Sequence, residues 1–218
     1  MFTRVNRGAP DRSFALEHYR HAAADYDASS RRIEAKRARA LELLELNSGE
    51  TVVDVACGTG AMLEALARKV GPRGLVIGVE QSPEMLALAR DRLSRLAWRN
   101  ILLIEASLEE AHLPAQADAL LFCYTHDVLR SAAALRNLFC SARPGARVAT
   151  CGVKRHPPWL APLNVLVLWR TYGYLSTIEG LDRPWSLLAS YCPDFAVRET
   201  FFWGSGYVGS GTFTATAR

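Results

Sequence analysis

Apolar positions along the chain follow two alternating rhythms. Short β-branched or continuous apolar runs read as buried strands: Thr51 to Ala56, Leu75 to Glu80, Ile101 to Glu105, Ala117 to Tyr124 and Arg147 to Val153. Between them the apolar residues recur at helical spacing. Ala61 to Val70 is one such segment, ended by Gly71-Pro72. A second starts at Ser82-Pro83, with Ser82 as N-cap, Pro83 in the first turn and Leu86, Ala89, Leu93 and Leu96 as its stripe. A third runs from Ser131 to Ala142 and stops before Pro144-Gly145. Strands alternating with helices in this way predict βαβ units and a parallel, doubly wound α/β sheet. A run as continuous as Ala119 to Cys123 fits a sheet covered on both faces.

The two ends depart from this rhythm. Helices are expected over Arg12 to Tyr26 and, after Ser29-Ser30, through Ile33, Leu41 and Leu44 as far as Asn47-Ser48-Gly49. Beyond the fifth strand, Trp159 to Tyr191 reads as helical, aromatic and punctuated by proline. Phe195 to Trp203 and Tyr207 to Thr216 then suggest an antiparallel hairpin about Gly204-Ser205-Gly206, although Gly209 and Gly211 weaken its second arm. The expected organisation is a helical arm or lid (1–48), a core (49–156), a helical cap (157–192) and a terminal hairpin (193–218) that brings the sheet to seven strands.

Composition narrows the class. The chain has 218 residues, half of them apolar, enough for one sizeable domain with a cap. Its net charge of +4 sits wholly in residues 1–40, which hold nine Lys/Arg against five Asp/Glu; the rest holds 17 of each. This reads as a solvated helical face, or as attraction to an acidic acceptor or a membrane surface. No nucleic-acid motif accompanies it. The five cysteines (57, 123, 140, 151, 192) have no metal or redox spacing and fit free thiols in a reducing cytosol. Met1 to Asp11 lacks the apolar stretch of a secretory signal, so a cytoplasmic location is expected. The run Trp159 to Trp169, broken by Pro162 and Asn164, is too short to cross a bilayer, which leaves peripheral membrane contact open.

The chemistry concentrates at Val52-Val53-Asp54-Val55-Ala56-Cys57-Gly58-Thr59-Gly60. A strand here enters a turn in which Gly58 and Gly60 lack side chains, so a ligand can approach the backbone ahead of the next helix. A dinucleotide site would require GxGxxG, but the third residue after Gly60 is Leu63. Glu80 ends the second strand 20 residues beyond Gly60, where a carboxylate can accept from both ribose hydroxyls.

Val52–Gly60, Val76-Ile77-Gly78-Val79-Glu80-Gln81-Ser82-Pro83-Glu84-Met85 and Arg143-Pro144-Gly145-Ala146-Arg147-Val148 together resemble class I S-adenosylmethionine (SAM) dependent methyltransferases. Within that class the chain looks like the branch holding the ubiquinone/menaquinone methyltransferases and the bacterial phosphatidylethanolamine N-methyltransferases. The resemblance covers about residues 20–155 and fades in the tail. It implies a Rossmann-like fold, SAM as cofactor and S-adenosylhomocysteine as product. It also implies roles. Asp54 and the backbone of Ala56, Cys57 and Gly58, with Gly60 in the same turn, would hold the methionine moiety. Glu80 would hold the ribose, Gln81 and Met85 would flank the adenine, and Ser107 and Leu108 would meet its edge. Tyr26 would close over the cofactor unless it simply packs its helix, and Cys123 would complete the site. Two departures stand out: Ala56 replaces the first glycine, and Ser107 stands where the family has an aspartate for the adenine amine.

The acceptor is expected at the switch point beyond the strands' C-terminal ends, where the fourth strand runs into Tyr124-Thr125-His126-Asp127. His126 is the candidate base, with Asp127 orienting it or pairing with the acceptor and Tyr124 beside them; equally, His126 could pack the following helix. The aromatics Trp159, Trp169, Tyr172, Tyr174 and Trp185 suit a lid over a planar, quinone-like ring, an acyl chain or a cationic amine, or else ordinary core. A methyltransferase for a small or lipid-like acceptor, acting as monomer or homodimer without metal or nucleic acid, is thus expected. A SAM-binding sensor or scaffold without methyl transfer is the alternative.

Overall fold

The computed structural model describes residues 8, 10–18, 20, 31–171 and 174–215. Its centre is a seven-stranded sheet in the order β3-β2-β1-β4-β5-β7-β6. The strands are β1 (Thr51–Val55), β2 (Leu75–Glu80), β3 (Ile101–Glu105), β4 (Ala117–Cys123), β5 (Ala142–Val153), β6 (Ala196–Phe201) and β7 (Gly206–Thr212). The first five run parallel. β7 lies antiparallel between β5 and β6. The order reverses between β1 and β4, which is where a doubly wound sheet opens a ligand crevice.

Alternation within each strand explains the two covered faces. Val53, Val55, Leu120 and Phe122 point to one face and pack with Leu135 and Leu138 of α5 (Ala132–Cys140). Val52, Ala119 and Leu121 point to the other. There they meet Leu41 and Leu44, Leu63 and Leu66, and Leu86, which belong to or follow α1 (Glu34–Glu42), α2 (Leu63–Val70) and α3 (Pro83–Ser94). Each fully buried leucine contributes roughly 1.5–3 kcal/mol. α3 begins as its residues require: the Ser82 hydroxyl accepts from the Met85 N–H at 3.3 Å with Pro83 in the first turn.

Three boundaries differ from expectation. α2 starts at Leu63 rather than Ala61, because the backbone through Gly58, Thr59 and Gly60 is still turning. β5 runs back through Pro144-Gly145, where its register with β4 slips between Ala117 and Ala119. The cap is less helical than its composition suggests: it holds a 3-10 turn at Pro158–Leu163, α6 (Asn164–Thr171) and a 3-10 turn at Leu188–Ser190, joined by turns. In β7, side chains at Gly209 and Gly211 would collide with Phe195, at 2.6 Å from its ring and 2.8 Å from its Cα. These two glycines therefore admit an aromatic packed on the strand instead of breaking it.

Candidate functional site

The turn after β1 is built from left-handed residues: Ala56 at φ +53°, Gly58 at +56° and Gly60 at +75°. Alanine in this region costs about 1–2 kcal/mol, so Ala56 is strained where glycine would not be. The two glycines serve different ends. A side chain at Gly58 would meet only the Met85 terminal methyl at 3.5 Å, so this face stays open to a ligand. A side chain at Gly60 would lie 2.9 Å from Leu63 and 3.1 Å from Ala89. Gly60 therefore lets α2 pack against α3. Met85 is buried with its terminal methyl over Gly58, and the Cys57 thiol is buried against Gly78 of β2.

Glu80 locks the turn to β2. Its Oε2 accepts from the Gly58 N–H at 2.9 Å and its Oε1 from the Ser82 N–H at 2.8 Å. Burial pushes its pKa up, and the amides of Ser82, Gly58 and Gln81 oppose that shift. Each carboxylate oxygen keeps a lone pair for a ribose hydroxyl. Glu80 lines a cavity of about 320 Å³ together with Ala56, Gln81, Ser107, Leu108 and Asp127. That is the lower end of ligand-pocket size, about 300–1,000 Å³. The buried Ser107 hydroxyl donates to Glu110 at 3.0 Å, which leaves its oxygen lone pairs to accept. A carboxylate thus stands one bond behind the serine.

Asp54 sits apart from this cavity, 2 % exposed, with no hydrogen-bond partner for Oδ2 among the described residues. Burial raises its pKa to about 7, against the pull of Arg37 and with a further push from Glu80. Arg37, on α1, is itself buried, with its guanidinium 5.9 Å from the Tyr124 ring centre. A buried orphan carboxylate beside a buried guanidinium fits the zwitterionic end of an amino acid: Asp54 for an ammonium, Arg37 for a carboxylate. Arg37 was not anticipated. Its signal is its place on the stripe Ile33–Leu41–Leu44, the one cation among apolar positions. Cys123 adjoins this group, its sulfur 3.5 Å from that of Cys151. Tyr26 lies outside the described residues.

A second cavity, of about 1090 Å³, opens under the cap. Tyr124, His126, Leu129, Tyr207, Trp169 and Trp203 are among its walls, and no described residue lining it is acidic. Tyr124 holds φ +60° at the exit of β4, a strained conformation at the switch point. His126 is 5 % exposed, and its ring nitrogens are closed off from solvent. Burial and the neighbouring Arg130 push its pKa down to about 4, against an opposing backbone contact at Glu179, so the ring is neutral at pH 7. Asp127 does not orient it. Its Oδ2 accepts from the Ser176 N–H at 3.0 Å and hydroxyl at 2.6 Å, which pins the cap to α4 (His126–Leu129). One helical turn thereby separates the cavities: His126 and Leu129 face the larger, Asp127 and Val128 the smaller.

The profile of a methyltransferase domain family matches residues 52–145. A demethylmenaquinone methyltransferase of Tropheryma whipplei is 31% identical over 153 residues, which span 67% of this chain and 59% of that protein's length. A 2-phytyl-1,4-naphtoquinone methyltransferase of Thermosynechococcus vestitus is 30% identical over 154 residues, 65% of this chain and 67% of the relative. A SAM-dependent methyltransferase of Aquifex aeolicus shares the fold at TM-score 0.63 and 23% identity, covering 88% of this chain and 97% of its own. Sheet order, turn, acidic strand end and relatives agree: the chain belongs to the class I SAM-dependent methyltransferase family.

Proposed function

We propose that the protein transfers a methyl group from SAM to a planar, quinone-like acceptor that carries an apolar substituent. The observation that carries this reading is the larger cavity: largely aromatic and aliphatic walls, no acidic residue among the described lining, and the buried His126 imidazole among its walls. When bound, SAM supplies a methyl carbon already activated on a sulfonium sulfur, so the protein's task is chiefly to position and to exclude water. In this reading Glu80 holds the ribose, the pair Asp54 and Arg37 holds the amino-acid end, and Ser107 with Glu110 behind it meets the adenine. His126, neutral at pH 7, accepts the proton of a reduced-ring hydroxyl as it becomes the nucleophile. For amine methylation, an ammonium product would meet aromatic faces but no carboxylate among the described lining residues. The two named relatives act on naphthoquinone-type rings, in keeping with this choice.

The test is incubation with isotopically methyl-labelled SAM and, in parallel, short-chain naphthoquinols, simple phenols and phosphatidylethanolamine, with products read by mass spectrometry. Label in the naphthoquinol is the expected result. Label only in phosphatidylethanolamine would overturn the acceptor class. S-adenosylhomocysteine binding without transfer to any of the three would favour a SAM-binding protein that performs no methylation.

A further inference from the structure

Exposed apolar surface concentrates around the larger cavity. Of the nine large apolar side chains exposed among the described residues, five line it: Leu166 (57 %), Trp169 (73 %), Tyr174, Phe202 (52 %) and Trp203 (80 %). Trp159 (79 %) and Val165 (70 %) are exposed on the two cap segments, Pro158–Leu163 and α6, that also supply Leu163, Leu166 and Trp169 to the cavity wall, so patch and cavity mouth are one surface. Its two parts are tied together. The His156 ring nitrogen lies 3.1 Å from the Trp203 carbonyl, and Pro157 sits against Gly204.

The backbone at this rim is held in an unfavourable conformation. Phe202 and Trp203 are consecutive and both left-handed, at φ +50° and +54°. Aromatic residues seldom adopt this region, and strain of this kind persists where the surrounding structure imposes it. Here it turns two aromatic rings outward. The surrounding charge has a basic excess. From 154 to 178 the sequence holds Lys154, Arg155 and Arg170 and no acid; Arg155 lies 3.5 Å from the exposed Asp182. On the other side, Ile33 lines the cavity beside exposed Arg32 and Glu34 and half-buried Lys36, whose ammonium stands 5.0 Å above the Phe201 ring.

We infer that this rim is a membrane-docking surface, and that it seats on an anionic lipid bilayer so that the cavity opens into the lipid phase. Tryptophan at an exposed rim is the residue suited to the headgroup level, where its amphipathic ring keeps one polar edge. Basic residues flanking a shallow apolar patch are what an anionic surface attracts. Continuity with the cavity gives the docking a purpose: an acceptor with a long apolar chain passes to His126 without crossing water. The link to the acceptor rests on the proposed function, whereas docking itself does not depend on methyl transfer.

Vesicle co-sedimentation tests it, with the full chain and vesicles of phosphatidylcholine alone or mixed in equal parts with phosphatidylglycerol. Retention on the mixed vesicles at low salt is expected, with a blue shift of tryptophan emission and quenching by brominated acyl chains. Trp159→Ser, Val165→Ser and Trp203→Ser should each weaken partitioning, the tryptophan changes by about tenfold. Trp159→Ser and Val165→Ser, at exposed positions outside both cavities, should keep their melting temperature and their calorimetric affinity for S-adenosylhomocysteine. An unaltered protein that fails to sediment with mixed vesicles at low salt overturns the inference, as do variants that sediment as well as the unaltered chain. A dimer in sedimentation velocity that Trp203→Ser dissolves, without vesicle binding, would overturn it too and assign the face to a second copy. Loss of S-adenosylhomocysteine binding in the unaltered protein would strike the proposed function and leave the docking result to be judged alone.

Discussion

Replacing Asp54 by asparagine should make the protein more stable and a poorer cofactor binder, with both effects governed by pH. Folding takes this carboxyl from an ordinary pKa of 3.8 to about 7, chiefly through burial. The folded chain therefore holds the proton more tightly than the unfolded one. The contribution of this group to stability is intact below pH 4 and is lost progressively as pH rises toward 7. At about 1.4 kcal/mol per unit, the ionised folded side chain costs about 4 kcal/mol at pH 7–8 and about half that or less at pH 5. Arg37 is already counted, since its attraction is part of the shift. Asparagine mimics the protonated side chain, so Asp54→Asn should gain about 4 kcal/mol at pH 8 and roughly 10 °C in melting temperature, with a smaller gain at pH 5. Binding runs the other way. A ligand ammonium needs the ionised carboxylate, so affinity of the unaltered protein for S-adenosylhomocysteine should fall about tenfold per pH unit below 7. The variant should bind weakly and without that slope. Urea unfolding and titration calorimetry across pH 5–8 measure both quantities. A destabilised variant at pH 8, or an affinity of the unaltered protein flat between pH 5 and 8, would refute the reasoning.

Glu80→Ala should weaken S-adenosylhomocysteine binding at least about a hundredfold through loss of the ribose acceptors. It should also lower stability, since the Gly58 and Ser82 amides lose their partner; calorimetry and melting curves read the two separately. His126→Gln should lower kcat about a hundredfold while leaving S-adenosylhomocysteine affinity within twofold. Because the ring already titrates near pH 4, the unaltered enzyme's pH–rate profile should carry no histidine step between 6 and 7. An inflection near 7 that survives Asp54→Asn but vanishes in His126→Gln would contradict this. Ala56→Gly should relieve the left-handed strain but add backbone entropy to the unfolded chain, for a net gain below about 1 kcal/mol by urea unfolding.

The parts of the site that could be read from the sequence are those whose chemistry is local. A β-branched run ending in a glycine turn, a carboxylate closing the next strand and Ser82-Pro83 opening a helix are each decided within a few residues, and each stands where it was expected. Gly60 marks where such reading ends. Its absence of a side chain is visible in the sequence, but its cause, Ala89 on another helix, is not. Arg37 and Asp54 are 17 positions apart, and only the packing of α1 over the sheet makes them a pair. Asp127 next to His126 suggested a dyad. Successive residues on a helical turn point in different directions, however, so the two carry the chain's contacts to two separate cavities. Asp127 holds the cap through Ser176 and lines the smaller cavity, while His126, its neighbour in sequence, lines the larger one, so a pair that looks like one unit in the sequence serves two separate places in the fold.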